Sequence, residues 1–177
     1  MGILTPKHLC LLCREGISVP LSLLLEMHPT EATPIKVLFV DPHQMCRDAL
    51  ASLIGAAAEF QVSASAESGT EAVSLCRQRA PDVVVMATEL DDGDAMQVTA
   101  EILGLSPRTE VILMQRSREE SVAIRAIQSG ALGLVSTRAP VSGLMEAIRT
   151  VGHGRSYIGP IPLAAVTRRL ESMRTGG

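Results

Sequence analysis

Five short apolar runs alternate with helical patterns along most of this chain, and this alternation is the feature that most constrains its fold. The run Ile35–Val40 is broken only by Lys36, and a later run is built on Val83-Val84-Val85. Near-continuous apolar runs of this length, rich in β-branched residues, predict buried strands. The predicted strands are Ile35–Val40, Gln61–Ala66, Asp82–Met86, Val111–Met114 and Leu132–Val135.

The segments between these runs carry apolar residues at the spacing of one helix face. Ser68, with Glu71 three residues later, has the spacing of a capping box and predicts a helix start. Gly130 predicts a helix end. The second of these helices is expected to bury Ala72, Leu75 and Cys76. The apolar residues that mark the others are Cys46, Ala49, Leu50, Leu53 and Ile54 on one face of the first; Val98, Ile102 and Leu105; and Val141, Leu144, Met145 and Ile148.

Strands that alternate with helices predict a parallel sheet, because parallel neighbours need crossover connections. We therefore expect an α/β fold: a flavodoxin-like, doubly wound, five-stranded parallel sheet with helices on both faces. In such sheets the working site lies at the carboxyl ends of the strands. The residues expected there are Asp41, Ala87, Gln115 and the pair Ser136-Thr137.

Composition narrows the function classes. The chain has 177 residues, is 46% hydrophobic and only 2% aromatic, and has a formal net charge of -3. Scarce aromatic residues and a slightly acidic balance argue against base stacking and direct nucleic-acid binding. No apolar run is long enough to cross a bilayer, and no secretory signal is evident, so a cytoplasmic protein without a membrane partner is expected.

Three segments are expected: 1–34 as a disordered N-terminal extension, 35–153 as the α/β domain, and 154–177 as a C-terminal linker and helix. Met27 is a candidate alternative start to Met1. Cys10 and Cys13 have C-x-x-C spacing, for which a metal or redox role is less favoured than two apolar residues in an extended arm. The segment Pro160–Met173 predicts one short helix, which is not enough for a helix-turn-helix module.

The region from Ile35 to Gly159 resembles the receiver (CheY-like) domain of two-component response regulators. It looks closest to the LuxR/NarL-type branch, whose members usually also carry a DNA-binding module. The order and spacing of the matching pieces carry the resemblance. These pieces are Ile35–His43, Ala80–Met86, Ser129–Gly133, Leu144–Arg149 and Gly154–Ile158.

The resemblance implies a phosphorylation site of five groups. Two adjacent acids hold Mg²⁺, an aspartate accepts the phosphoryl group, a hydroxyl bonds the phosphate, and a lysine offsets its charge. This sequence departs from that pattern at most positions, and the aromatic switch position is Leu134. The positions that correspond to the site are Asp41, Pro42, Ala87, Gln115 and Thr137.

Two groups of residues are candidates to replace the missing parts of this chemistry. An acid of the loop after the third strand could act as acceptor, although such acids more often cluster at a helix N-terminus. Arg138 could supply the cation, but its neighbour position should point it away from the site. The loop acids are Glu89, Asp91, Asp92 and Asp94.

The function expected is therefore that of a phosphorylation-independent pseudo-receiver: a protein-protein interaction module, not an enzyme, with no metal or other cofactor. The partner would be a signalling protein or a second copy, as in a homodimer. Two alternatives stay open: a phosphorelay receiver with a non-standard acceptor, and a small-ligand sensor that uses the emptied pocket. The candidate pairing faces are Leu50, Leu53 and Ile54, or Val141, Leu144 and Ile148.

Overall fold

The computed structural model describes residues 33–116 and 119–159. The chain divides into Met1–Thr33 and Pro34–Gly177, and all of the described secondary structure belongs to the second unit. Several predictions lie outside the described residues: the disordered extension, the Cys10-x-x-Cys13 pair, the start at Met27 and the helix within Pro160–Met173.

Helices and strands alternate through the described residues. The strands are β1 (Ile35–Val40), β2 (Phe60–Ala66), β3 (Val83–Ala87), β4 (Glu110–Gln115), β5 (Gly133–Ser136) and β6 (Tyr157–Ile158). The helices are α1 (Gln44–Gly55), α2 (Gly69–Arg79), α3 (Ala95–Leu105), α4 (Glu120–Gln128) and α5 (Val141–Gly152).

The strands form one sheet in the order β2-β1-β3-β4-β5-β6, and every neighbouring pair is parallel. The flavodoxin-like α/β fold with a parallel sheet is thus confirmed. The described sheet has six strands where five were predicted. The additional strand β6 has two residues and pairs Tyr157 with Gly133 and Ile158 with Leu134. A two-residue strand is too short to show a periodicity in the sequence. It forms through its pairing with β5.

The core consists of two apolar layers, one on each face of the sheet. On one face α2, α3 and α4 cover β-strand side chains such as Leu38, Val84 and Leu113. On the other face α1 and α5 cover side chains such as Phe39 and Val85. All five are at most 1% exposed. Each side chain of this size that is fully buried contributes roughly 1.5–3 kcal/mol to folding, so the central strands anchor the domain.

The start of α2 and the end of α4 lie where the sequence signals predicted them. The Ser68 hydroxyl accepts a hydrogen bond from the Glu71 backbone N–H at 3.2 Å, which confirms the predicted cap of α2. Gly130 follows α4 with φ of +91°, a conformation that glycine adopts without strain.

The predicted apolar face of α1 is wrong in part. Only Ile54 of this helix is buried, while Cys46 and Ala49 are exposed and Leu53 is 49% exposed. Burial falls off toward the start of α1, where Met45 is 83% exposed. The helical spacing predicted a continuous apolar face, but the side chains near the start of the helix do not reach the core. By contrast Cys76 of α2 is buried as predicted.

Candidate functional site at the carboxyl edge of the sheet

The parallel strands bring the predicted site residues to one edge of the sheet. Asp41 directly follows β1, Ala87 ends β3, Gln115 ends β4 and Thr137 directly follows β5. The strands hold them together through backbone contacts: Ala87 pairs with Met114, and the Thr137 N–H donates to the Gln115 carbonyl at 2.9 Å. We call this region the carboxyl edge.

The residues of the carboxyl edge differ in exposure. Asp41 and Gln115 are buried, Pro42 and Ala87 are half-buried, and Thr137 is exposed. The Oε1 atom of Gln115 is buried and accepts no hydrogen bond within the described part of the chain. Such an atom is costly to leave unsatisfied, by about 1–3 kcal/mol, so it marks a place where a water or another donor would be favoured.

Asp41 is the buried acid of this edge, and its neighbours hold it in place. Its Oδ1 accepts a hydrogen bond from the His43 backbone N–H at 2.8 Å and lies 2.9 Å from Nδ1 of the same residue. The Arg47 guanidinium donates to the Asp41 backbone carbonyl. The carboxylate oxygen Oδ1 therefore already serves two donors of the chain itself when Nδ1 is protonated.

Arg116 is a residue of this edge that the sequence reasoning missed. Its Nε lies 3.8 Å from Oε2 of Glu89, and its Nη2 lies 3.3 Å from Nδ1 of His43. A guanidinium has only donors, so Nδ1 cannot both donate to Asp41 and accept from Arg116. The contact with Asp41 is the shorter of the two, and it is a hydrogen bond when the proton is on Nδ1. The signal for Arg116 was its place immediately after the strand-ending Gln115.

The acids of the β3–α3 loop have separate structural roles. Asp92 accepts hydrogen bonds from the backbone N–H groups of Gly69 and Thr70, both at 2.9 Å, at the start of α2. These bonds lower the pKa of Asp92. Asp94 caps α3 through the Met96 N–H at 3.0 Å and forms an ion pair with Arg125. Asp91 is exposed. Glu89 is therefore the loop acid that lies beside the carboxyl edge, through its contact with Arg116.

The two remaining predicted residues lie apart from these contacts. Arg138 is exposed, and its backbone N–H donates to the Ser136 hydroxyl at 3.2 Å. The cations whose contacts with this edge are described above are Arg47 and Arg116. Leu134 is 2% exposed and packs in the layer under α2, α3 and α4.

A cavity of about 360 Å³ opens beside this edge, between α1 and α5. Eight of its twelve lining residues are apolar, and the polar ones are Asp41, Arg116, Ser136 and Thr137. The lining contains neither Ala87 nor Gln115. Space for a small molecule therefore lies on the α1–α5 side of the sheet and not at the strand end of β3.

Two features are absent from the described residues. No group of three or more His, Cys, Asp or Glu residues among them is placed to hold a metal ion. No helix within residues 33–116 and 119–159 is long and apolar enough to cross a membrane.

The fold described above is that of a receiver domain. Residues 37–149 match the family model described as "Response regulator receiver domain", which covers more than half of the chain. The chain therefore belongs to the response regulator receiver family of two-component signalling. LuxR/NarL-type proteins are among its relatives.

Individual relatives agree with this assignment. The chain is 28% identical over 137 residues to the response regulator protein VraR of Staphylococcus epidermidis. The matched segment covers 77% of this chain and 66% of VraR. It is 27% identical over 126 residues to the transcriptional regulatory protein DegU of Brevibacillus brevis, across 71% of this chain and 53% of DegU. The chain thus spans about half to two thirds of the length of these relatives.

Solved structures show the same fold. The signal receiver domain of the putative response regulator NarL from Mycobacterium tuberculosis matches with a TM-score of 0.66 at 23% identity, covering 69% of this chain and 98% of that domain. A LuxR-family two-component response regulator from Aurantimonas matches with a TM-score of 0.70 at 24% identity, covering 81% and 99%. At these identities the likeness concerns the fold.

Proposed function

We propose that this chain is a phosphorylation-independent pseudo-receiver, a signalling module that acts by binding another protein. The observation that carries the proposal is Ala87, which ends β3 with a methyl group where the resemblance calls for the acceptor carboxylate. A methyl group has no lone pair with which to attack phosphorus. The module would then transmit a signal by its surface and not by an acyl phosphate.

The donor set at the carboxyl edge supports the proposal, because it does not fit the Mg²⁺ that the family's chemistry uses. Mg²⁺ requires near-octahedral oxygen ligands and usually more than one charged group. Here Asp41 is followed by Pro42, and one oxygen of Asp41 is already engaged by His43. We derive no step through a metal ion at this site.

The residues available at the carboxyl edge to offset the charge of a phosphoryl group support the same conclusion. Thr137 occupies the position of the family's lysine and cannot offset the charge of a phosphoryl group. Arg116 brings a positive charge nearby, but it lies against Glu89 and beside His43. The alternative of a loop acid as acceptor would have to use Glu89, because Asp92 and Asp94 cap helices.

The candidate partner surface is a stripe on α1 made of Met45, Ala49 and Leu53. These residues are four apart and so lie along one side of the helix, and all three are exposed. The other candidate faces are mostly core: Ile54, Leu144 and Ile148 are buried. An apolar stripe of this kind is suited to a protein partner, either a signalling protein or a second copy.

The test is incubation of the folded chain with acetyl phosphate and Mg²⁺, followed by intact mass. We expect no phosphoryl adduct, with a receiver domain that has the full acceptor site as positive control. A stoichiometric adduct would favour the alternative of a phosphorelay receiver with a non-standard acceptor. If one formed, a Glu89→Gln variant would show whether Glu89 carries it.

Binding through α1 needs its own measurement. Light scattering of the wild type and of a Met45→Ser/Leu53→Ser double variant would report self-association through the stripe. We expect the wild-type mass to exceed that of the variant at high concentration if the partner is a second copy. A monomeric wild type would leave a different signalling protein as the partner.

A further inference from the structure

We propose that the cavity between α1 and α5 binds a small carboxylic acid with an apolar body. The inference goes beyond the proposed function, since it requires neither phosphoryl transfer nor a protein partner. It rests on the juxtaposition of an apolar cavity with one cation at its rim. A volume of about 360 Å³ falls within the range of small-molecule sites.

The wall of the cavity selects an apolar body. Leu50 of α1, Met114 of β4 and Leu144 of α5 are among the eight apolar residues that line it. Leu144 and Met114 belong to the core, whereas Ala49 and Cys46 are exposed to solvent in this structure. An apolar ligand would therefore cover wall that water now reaches, which is a favourable transfer.

The rim of the cavity selects the head group. Arg116, Ser136 and Thr137 offer N–H and O–H donors there. Within the described residues, the contacts of Arg116 are the long one to Glu89 at 3.8 Å and the one to His43. The contact with Glu89 is weak because Glu89 is 61% exposed, and the contact with His43 at 3.3 Å competes with the shorter one between Nδ1 and Asp41. A ligand carboxylate could take two parallel N–H bonds from this guanidinium, which is a stronger pairing.

The negative charge of Asp41 does not prevent a ligand carboxylate from binding at the rim. Its side chain is 8% exposed and its Oδ1 is held by His43, while Arg47 lies on its backbone carbonyl. Arg116 lines the cavity, and Arg47 is held at the Asp41 backbone outside its lining. A cationic ligand would meet Arg116 at the entrance, so an anionic head is favoured over an amine.

Octanoate is the probe, titrated into the full chain and followed by amide chemical shifts in ¹H–¹⁵N spectra. We expect saturable shifts at residues of the cavity wall, and binding of 1-octanol and octylamine at least about tenfold weaker. Shifts that grow without saturation, or equal affinity for octanol, would overturn the proposal.

Two variants and two matched controls make the test specific. Ala49→Leu adds bulk at the wall and Arg116→Gln removes the cation, and each should weaken octanoate by about tenfold. Ala100→Leu, at an exposed position of α3, and Arg155→Gln, also at an exposed position, are the controls and should bind as the wild type does. Wild-type affinity in Ala49→Leu would place the ligand elsewhere and overturn the assignment. Because the phosphodonor assay is read separately by mass, its failure and the failure of this site are distinguishable.

Discussion

The carboxylate of Asp92 lies across the first turn of α2, where its Oδ2 accepts hydrogen bonds from both the N–H and the hydroxyl of Thr70 at 2.9 Å. Its Oδ1 accepts a further bond from the Gly69 N–H. The acid thus fastens the β3–α3 loop to the start of α2. Replacement by alanine should lower the free energy of unfolding by about 1 kcal/mol, the usual cost of a lost helix cap. Urea unfolding measures this, with the exposed neighbour Asp91→Ala as the control expected to change little.

The same carboxylate should make stability depend on pH. Hydrogen bonds from the α2 backbone lower the pKa of Asp92 below its ordinary value of 3.8. Since the folded state holds the carboxylate more strongly than the unfolded state, its contribution is present above about pH 4 and is lost as pH falls below that value. The difference in unfolding free energy between the wild type and Asp92→Asn should therefore shrink between pH 5 and pH 3, within roughly that window. A constant difference would contradict this account.

Gly133 at the start of β5 should be intolerant of a side chain. A Cβ there would lie 2.6 Å from Cγ1 and 3.0 Å from Cβ of Ile112, which is itself buried on the neighbouring strand. We expect Gly133→Ala to destabilise the domain by about 1–3 kcal/mol, as overpacking does. Gly104→Ala is the control: no atom lies within 4 Å of its added Cβ, and a helical alanine should stabilise by up to about 1 kcal/mol. Equal effects at the two glycines would be evidence against this packing.

The two cysteines of the described domain should differ in reactivity. Cys46 is exposed, whereas burial raises the pKa of the Cys76 thiol to about 11. Because the thiolate is the reactive form, Cys76 should be inert at pH 8 until the domain unfolds. In a Cys10→Ser/Cys13→Ser background, a colorimetric thiol reagent should count one fast thiol in the native protein and two in denaturant. Loss of the fast phase in Cys46→Ser would complete the assignment, and two fast native thiols would refute it.

Restoring the acceptor alone should not restore phosphoryl uptake. Ala87→Asp supplies a carboxylate at the end of β3. Pro42 still provides no second acid for the metal ion, and Thr137 provides no positive charge for the phosphate. We expect no adduct in the single variant after incubation with acetyl phosphate, as judged by intact mass. The triple variant Ala87→Asp/Pro42→Asp/Thr137→Lys is the matched comparison and should gain one. Efficient uptake by the single variant would show that the lack of a carboxylate at position 87 alone silences the site.

The sequence predicted the parts of this fold that have a repeating pattern. Strands β1 and β3 carry long apolar runs, and Ser68 carries a cap signal, so each was predictable from local chemistry. Exposure along α1 was not, because Cys46 and Ile54 have similar spacing signals and only the placement of the helix over the sheet distinguishes them.

The candidate site was likewise predictable from the sequence only in part. The strand-end rule brought Asp41 and Gln115 to one edge, since it depends only on where strands stop. The position of Arg116 between Glu89 and His43 depends on the path of two loops, and the cavity depends on how far α1 stands from α5. Such distances are set by packing across the whole domain and have no signature in a short stretch of sequence.

The short strand β6 has a consequence for how this domain is joined to anything else. Since β6 runs parallel to β5 and the Gly159 N–H bonds to the Leu134 carbonyl, the chain is heading toward the carboxyl edge as it passes Gly159. A module attached downstream therefore begins its tether on the same side of the sheet as Arg116 and the cavity. Tethering near this edge raises the effective concentration of whatever is carried, as far as the length of the tether allows, so an intramolecular contact with this edge needs less intrinsic affinity than a contact between separate molecules.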